Sequence, residues 1–415
     1  MSKNYDSDFS FQAVTDKDRR GLFSMFVIML GFTFFSASMW TGGTLGIGLT
    51  GSEFIAAVLL GNLILGIFTG ALAHIGAKTG LSTHLLAKYS FGEKGSYLGS
   101  FLLAITQVGW FGVGVAMFAI PVNKVTGIDI KLLVAISGIL MTFTAYFGIK
   151  AVTILSAIAV PSIAVLGGTS VVNAINHAGG LKEVMNIAPI NSISVMAGVG
   201  MCIGSFISGG SLTADFARFS KNSKVGVIST LVAFFIGNSL MFIFGAVGGK
   251  VFGTADISDV MFSQGIIIPA IIVLGFNIWT TNDNALYSSG LGFSSITKIP
   301  KSKMVMINGA LGTAFALPIY NNFVGWLSLL NTLLPGIGAI IICDYFFVKK
   351  GIYDKIEEVE FCGINVVAIL SWVVGILAAK FIPGISPINS VIFTMISYYV
   401  GSKVVEGKRG VKYAN

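Results

Sequence analysis

The chain has 415 residues, of which 54% are hydrophobic and only 11% are charged, and its formal net charge is +8. Soluble domains carry about 25% charged residues, so this composition excludes a water-soluble enzyme, and the high hydrophobicity excludes a disordered chain. We therefore expect an all-α protein that crosses the lipid bilayer many times. The positive charge is expected in cytoplasmic loops and predicts no nucleic-acid partner.

Twelve apolar segments, each long enough to cross a bilayer as a helix, follow one another along the chain. They cover residues 22–48, 53–76, 97–122, 132–149, 151–172, 195–217, 225–249, 265–293, 304–318, 321–347, 362–380 and 385–402. We number them as predicted spans 1 to 12. They divide the chain into a tail at 1–21, spans 1–5 at 22–172, spans 6–10 at 195–347, spans 11–12 at 362–402 and a tail at 403–415.

The distribution of lysine and arginine predicts the orientation of these spans. With the N-terminus on the cytoplasmic side, 21 of the 26 basic residues fall on that side and five on the other. Because basic loops stay in the cytoplasm, we expect both termini there, which requires an even number of spans.

Spans 1 and 6 contain small, hydroxylated and glycine residues in the middle of an apolar run. Residues 31–38 read Gly-Phe-Thr-Phe-Phe-Ser-Ala-Ser, and residues 204–211 read Gly-Ser-Phe-Ile-Ser-Gly-Gly-Ser. Such residues weaken a helix, and two interrupted helices at corresponding positions of two halves indicate an inverted-repeat transporter. The alternative is close packing of continuous helices through small residues.

In span 3, Gln107 and Trp110 are three residues apart and share a helical face. An indole can stack on a flat ligand while a nearby amide bonds to its edge; the alternative is an aromatic core residue beside an interhelical hydrogen bond. At the inner end of span 6, Asp215 and Arg218 have the spacing of a helical ion pair with a structural or gating role.

In span 8, Asn277, Thr280 and Thr281 share one helical face. Their hydroxyl and carbonyl oxygens are hard, uncharged ligands that suit a small monovalent cation, above all beside an interrupted helix. The alternative is that both threonine hydroxyls bond to carbonyls of the preceding turn.

Asp283 follows directly, flanked by Asn282 and Asn284. A carboxylate in mid-membrane costs about 2.5–3.5 kcal/mol on insertion scales, which favours a role in handling protons or cations. Alternatively it lies nearer the cytoplasmic end, paired or hydrated. The neutral amides offer donors and acceptors that suit a planar heterocycle.

The remaining reactive residues predict no chemistry. Cys202, Cys343 and Cys362 lie in or beside apolar runs without a CxxC pair, and we interpret them as buried packing residues. The chain has no phosphate-binding loop and no nucleophile elbow, so we expect no enzymatic activity and no cofactor.

Several stretches resemble the nucleobase–cation symporter family, and within it the bacterial cytosine permeases. They are residues 32–46, 106–121, 204–219, 277–293 and 320–326. The likeness extends over about residues 20 to 400. It implies a fold similar to that of the amino-acid transporter LeuT, with spans 1–5 and 6–10 as inverted repeats, two further helices, interrupted helices 1 and 6, and a place in the bacterial inner membrane.

The resemblance also implies two binding sites. The base would be held by Trp110 and Phe206 on its two faces, by Gln107 and Asn282 at its edge, and by Ser205 and the backbone near Phe35 as further contacts. Sodium would be held by the carbonyls of Gly31, Phe34 and Asn277 and the hydroxyls of Thr280 and Thr281.

We therefore expect an importer of cytosine that is coupled to sodium and works by alternating access, without an obligatory protein partner. A second hypothesis is a proton-coupled symporter of uracil, hydantoin or a related compound, with Asp283 as the proton carrier. A passive channel for a small neutral solute is a third hypothesis.

Overall fold

The computed structural model describes residues 9–147 and 149–412, and side chains at 9–147, 154–323 and 325–406. This part of the chain is helical without a β-sheet, apart from one isolated bridge between Arg20 and Ser220. The first eight helices are α1 Leu22–Thr33, α2 Ser36–Gly48, α3 Gly51–Thr79, α4 Thr83–Phe91, α5 Ser96–Thr126, α6 Ile130–Ala145, α7 Ile149–His177 and α8 Leu181–Asn186.

The second half continues the pattern of long and short helices. It contains α9 Val195–Gly204, α10 Ile207–Ser211, α11 Thr213–Ala217, α12 Ser223–Val232, α13 Ser239–Phe252, α14 Ile257–Ser263, α15 Ile267–Thr297, α16 Lys301–Ala314, α17 Ala316–Asn321, α18 Phe323–Leu333, α19 Pro335–Cys343, α20 Val366–Phe381 and α21 Ser386–Lys412. A π-helical turn joins α12 to α13, and another follows α19.

Several of these helices are membrane spans by length and composition. Among the described residues, five are long and apolar enough to cross a membrane, and the bent pair α1–α2 makes a sixth. The five are Gly51–Thr79, Ser96–Thr126, Ile154–His177, Ser223–Phe252 and Gly325–Val348. The chain is thus a multi-pass membrane protein, while the count of twelve spans stays a prediction.

The segment predicted as span 1 changes direction in its middle. Helix α1 ends at Thr33, Phe34 and Phe35 are not helical, and α2 leaves at 54° to α1. In the segment predicted as span 6, helix α9 ends at Gly204, and Ser205 and Phe206 separate it from α10. Main-chain groups at such points lose their helical partners, so other residues can reach them.

Two further segments are interrupted where we expected continuous spans. Residues 304–318 divide at Phe315 between α16 and α17, and the regular hydrogen bonding within 321–347 is interrupted at Leu334, although Gly325–Val348 still forms one helix long enough to cross a membrane. Pro335 explains the second division, because proline lacks the N–H that would continue α18 but is well suited to the first turn of α19.

Glycine brings α2 and α13 into backbone contact. A Cβ added to Gly245 would clash with the main-chain oxygen of Met39, and one added to Gly249 would lie 2.8 Å from Gly43 Cα. Since neither helix has a side chain between the two backbones at these points, the pair packs at the closest distance that helices allow.

The three cysteines do not share one environment. Cys202 and Cys343 are buried, as expected, but Cys362 is exposed. The expectation was wrong for Cys362 because this residue lies in the irregular segment before α20 and not in a span.

Candidate functional site

A cavity lies where the two interrupted segments meet α5 and α15. About 410 Å³ of space lies between the lining atoms, and this figure includes the part that is open to solvent. Its lining consists of Phe32, Phe35, Gln107, Trp110, Ser205, Phe206, Ser208, Gly209, Thr281, Asn282, Asn284 and Ala285. Each of these described residues is uncharged, so the cavity suits a neutral ligand.

The structure brings together all six residues that the resemblance implied for the base. They are Phe35 before α2, Gln107 and Trp110 on α5, Ser205 and Phe206 between α9 and α10, and Asn282 on α15. Their roles toward a ligand stay predictions.

The aromatic walls of the cavity are held in fixed orientations. Trp110 Nε1 donates a 2.7 Å hydrogen bond to Ser208 Oγ, and its indole makes a T-shaped contact with Phe35 at 5.3 Å between ring centroids. Phe206 makes edge-to-face contacts with Phe32 at 5.0 Å and with Phe234 at 5.1 Å. Because a buried indole N–H needs an acceptor, Ser208 fixes the plane on which a flat ligand would stack.

The polar groups of the cavity differ in whether they are already bonded. Gln107 Nε2 and both amide atoms of Asn284 are buried and have no hydrogen-bond partner among the described residues. By contrast, Asn282 Nδ2 donates to the Phe111 carbonyl at 3.2 Å, and Ser205 Oγ donates to the Cys202 carbonyl at 2.9 Å. An unpaired buried amide is costly, so Gln107 and Asn284 are the groups most in need of a ligand.

Asn284 and Ser208 are absent from the residues carried over from the resemblance. The sequence had already indicated Asn284, together with Asn282, as a neutral amide that suits a planar heterocycle. For Ser208 the signal was only its position within the hydroxyl-rich segment 204–211.

The residues predicted to bind sodium lie where α15 meets the bend between α1 and α2. Asn277 Nδ2 donates to the Phe34 carbonyl at 2.5 Å, and Ser36 Oγ donates to Asn277 Oδ1 at 2.7 Å. A Cβ added to Gly31 would clash with Ser156 of α7, whose buried hydroxyl has no partner in the described structure. Ser36 and Ser156 are thus further oxygens at this junction, which sequence analysis missed.

The two threonines of this set donate to their own helix. Thr280 Oγ1 bonds to the Phe276 carbonyl at 3.0 Å, and Thr281 Oγ1 bonds to the carbonyls of Asn277 and Ile278 at 3.2 and 3.0 Å. This is the back-bonding alternative considered from the sequence. A hydroxyl that donates to a carbonyl still carries lone pairs, and both oxygens keep the capacity to accept or coordinate.

Asp283 is buried outside the lining of the cavity, on the side of α15 that faces α6. Its Oδ1 accepts a 2.8 Å hydrogen bond from Thr144 Oγ1, which in turn accepts from Trp279 Nε1 at 2.7 Å. Oδ2 has no partner in the described part of the chain. Within the described residues the carboxyl is therefore held by one hydrogen bond from a neutral side chain.

Asp215 and Arg218 meet differently from the ion pair that we expected. Arg218 Nε donates to the main-chain carbonyl of Asp215 at 3.1 Å, and Arg218 Nη2 donates to Tyr287 Oη at 2.9 Å. The Asp215 carboxylate instead accepts the Thr83 N–H at 2.8 Å and lies 3.8 Å from His84 Nε2. The expectation was wrong because the Asp215 carboxylate is bonded to α4, whereas the Arg218 guanidinium is bonded to α15 and the N-terminal segment.

Comparison with known proteins identifies the family. A family model described as permeases for cytosine/purines, uracil, thiamine and allantoin matches residues 13–405. The cytosine permease of Escherichia coli strain K12 is 54% identical over 403 residues, which cover 97% of this chain and 96% of that one. The chain belongs to this permease family.

Solved structures agree on the fold of this permease. Mhp1, a nucleobase-cation-symport-1 family transporter in a closed conformation with bromovinylhydantoin bound, aligns with a TM-score of 0.84 at 20% identity over 96% of both chains. A Na⁺-coupled sialic acid symporter aligns with a TM-score of 0.73 at 13% identity, over 97% of this chain and 93% of that one. The permease is therefore a nucleobase transporter with the Mhp1 fold, and its relatives are transporters rather than enzymes.

Proposed function

We propose that this permease imports cytosine into the bacterial cytoplasm together with sodium, by alternating access. The observation that carries the proposal is the adjacency of two groups: a cavity with aromatic walls and unpaired amides, and an oxygen-rich junction between α15 and the α1–α2 bend. Thr281 belongs to both, since it lines the cavity and bonds to Asn277.

The cavity supports a neutral planar heterocycle as substrate. Trp110 and Phe206 offer stacking surfaces, and Gln107, Asn282 and Asn284 offer amide donors and acceptors at its edge. Cytosine presents an exocyclic amino donor beside ring acceptors, which amides can pair. The 54% identity to a cytosine permease favours this base over its relatives.

The junction supports sodium as the coupling ion. The carbonyls of Gly31, Phe34 and Asn277, with the hydroxyls of Thr280 and Thr281, are uncharged hard oxygens of the kind that alkali cations prefer. A bound cation would join α1 to α15 and stabilise the state that binds the base. Reciprocity then requires that cytosine and sodium each raise the affinity for the other by the same factor.

The membrane arrangement is part of the same proposal. We infer twelve spans, with residues 22–172 and 195–347 as inverted repeats and 362–402 as two added helices. In the same proposal the protein lies in the inner membrane. The excess of lysine and arginine on one side of the predicted spans supports a cytoplasmic location of both termini. Arg218 and Tyr287 would then lie on the cytoplasmic side of the cavity, and Trp40 on the outer side.

The competing function is transport of the base coupled to protons instead of sodium. The observation that favours it is the buried carboxyl of Asp283. This carboxyl lies in a span, with one oxygen unpaired among the described residues, and such residues often carry protons through membranes. Its position outside the cavity lining weighs against direct coupling to the base.

Uptake of radiolabelled cytosine into proteoliposomes tests the proposal. Accumulation that requires an inward sodium gradient and resists excess uracil supports both the ion and the base. Accumulation driven by a pH gradient without sodium would instead indicate that protons are the coupling ion and that Asp283 carries them. Failure under both gradients would refute cytosine as the substrate, and uracil and hydantoins would then be assayed.

A further inference from the structure

Below the cavity, four buried side chains carry polar atoms without a well-formed hydrogen bond. They are Asn284 and Ser288 of α15, His84 of α4 and Asp215 of α11, and each is at most 3% exposed. Both amide atoms of Asn284, the Ser288 hydroxyl and Oδ2 of Asp215 lack a hydrogen bond within the described ranges, and the His84 ring lacks a well-formed one, although it faces the main-chain carbonyl of Ser288 and the Asp215 carboxylate. We call these four residues the polar seam.

Among the described residues, single unpaired polar atoms also occur on other buried side chains, for example Gln107 and Ser156, but in the seam four such side chains follow one another, whereas a comparable polar cluster elsewhere is fully paired. Beside the α1–α2 bend, Asn238 Nδ2 donates to Asn62 Oδ1 at 2.8 Å, and Ser38 Oγ donates to Asn238 Oδ1 at 2.9 Å. Asn62 Nδ2 completes the chain by donating to Ser239 Oγ at 2.8 Å. Fully paired groups stabilise one conformation, whereas unpaired groups favour any state in which water or a ligand reaches them.

The seam forms a continuous line away from the cavity. Asn284 lines the cavity, and Ser288 follows one turn later on the same face of α15. One turn further on, Gly292 leaves space for His84: a Cβ added there would lie 2.7 Å from His84 Cε1. His84 Nε2 in turn lies 3.8 Å from Asp215 Oδ2.

Aromatic rings accompany this line. Phe32 of the cavity lies 4.7 Å from Phe216, and Phe216 lies 5.8 Å from Tyr287, both between ring centroids. Phe216 and Tyr287 are chain neighbours of Asp215 and Ser288. The region therefore repeats the chemistry of the cavity, with aromatic surfaces beside unpaired donors and acceptors.

Arg218 closes the far end of the line. Its guanidinium donates to Tyr287 Oη at 2.9 Å and to the main-chain oxygen of Phe9 at 2.8 Å, which ties α11 to α15 and to the N-terminal segment. In this conformation the seam is consequently sealed from the solvent on that side.

From this geometry we infer that the polar seam is a second, transient binding subsite, through which a neutral heterocyclic base leaves the cavity toward the Arg218 side. The inference rests on the proposed function. When α11 moves away from α15 and α4, water and the base pair with Asn284, Ser288, His84 and Asp215 in turn. The groups are single and spaced by helical turns, so the base is solvated along the route without being retained.

Cysteine labelling tests whether the seam opens during transport. In a Cys362→Ser background, Ser288→Cys is compared with Ser289→Cys, because Ser289 bonds to Leu286 and Asn308 on the other side of α15. The full-length variants are reconstituted in proteoliposomes with a charged methanethiosulfonate on both sides of the bilayer. During cytosine uptake we expect Ser288→Cys to react at least about 10-fold faster than at rest, and Ser289→Cys to stay unreactive. Equal reactivity of the two variants in both conditions would overturn the inference.

A second measurement separates passage from binding. Ser288→Ala is expected to keep equilibrium cytosine binding within about twofold while lowering the uptake rate about threefold or more, and Ser289→Ala is expected to change neither. Equal losses of binding and rate, or no loss in rate, would contradict a subsite on the exit route. Cytosine binding to the wild-type protein is measured first. If the wild-type protein does not bind cytosine, the proposed substrate is wrong, but the inference about the polar seam is not yet contradicted. The labelling experiment is then repeated with the base that the protein does bind.

Discussion

The two ends of the cavity are closed by different chemistry. At one end, Trp40 stacks on Phe323 at 4.7 Å with an interplanar angle of 6°, and Phe323 meets Trp110 at 5.9 Å. At the other end, Arg218 bonds to Tyr287 and to the Phe9 carbonyl, beside the polar seam. We call these the aromatic end and the polar end.

The difference indicates that the two ends have different energetics. An aromatic pair contributes about 0.5–1.5 kcal/mol beyond its buried area and leaves no polar group unpaired when it forms. A hydrogen bond to a charged group contributes about 1.5–3 kcal/mol, yet closing the polar end also buries unpaired atoms that water would otherwise satisfy. The polar end is thus held by stronger contacts but gains more from hydration when it opens.

Of the variants described below, the one that removes the Arg218 guanidinium from the polar end should have the largest effect on transport. Arg218→Gln loses charge-assisted bonds to Tyr287 and Phe9, so the polar end is expected to open and sodium-driven accumulation of cytosine to fall by more than about 30-fold. The assay is uptake followed by a measurement of efflux. Lys221→Gln, at an exposed residue three positions later, is the control; normal accumulation in Arg218→Gln would show that other contacts close this end.

The second-largest effect is expected at the junction that we propose to bind sodium. Thr281→Ala removes one proposed ligand, and we expect the sodium concentration for half-maximal cytosine binding to rise about 10-fold while binding at saturating sodium is retained. Thr297→Ala is a matched control, because Thr297 also donates to the preceding turn of α15 but lies far from the junction. An unchanged sodium requirement would count against the assigned site.

A smaller effect is expected at the tryptophan that lines the cavity. Ser208→Ala leaves Trp110 Nε1 without its acceptor and frees the indole to tilt, which should weaken equilibrium cytosine binding about fivefold. Ser211→Ala, on the same short helix but bonded to the Ile207 carbonyl, should bind normally. If both variants bind equally well, Ser208 does not orient the ring.

The smallest effect is expected at the aromatic end. Phe323→Leu keeps an apolar contact with Trp40 but loses the stacked geometry, so cytosine should dissociate about threefold faster with little change in the sodium requirement. Stopped-flow measurement of dissociation checks this, with the exposed Phe315→Leu as control. A loss as large as that of Arg218→Gln would mean that the two ends do not differ as we describe.

The sequence predicts well what depends on local pattern. Spans 53–76 and 97–122 correspond to α3 and α5 within about four residues, because long apolar runs and terminal glycines mark helix ends. The chain leaves the helix near 34–35 and 205–206, within the glycine- and serine-rich segments, while their role as interrupted membrane helices stays a prediction.

The sequence does not predict contacts between distant helices. That the Asn282 amide is already used by the Phe111 carbonyl and Met141 sulfur, whereas Asn284 is unpaired, depends on how α5 and α6 pack on α15. The partners of Asp215 likewise come from α4, more than 130 residues away in the chain. Spacing identified which residues carry polar groups but could not assign their partners.

The backbone contact between α2 and α13 has a consequence for mutational tolerance. Neither Gly245 nor Gly249 can accept even one methyl group without separating the two helices. Saturation mutagenesis should therefore find these positions among the most restricted in the chain, although neither is among the described residues that line the candidate substrate cavity. In this permease, a map of positions that tolerate no substitution would therefore identify the α2–α13 helix contact as clearly as it identifies a binding site.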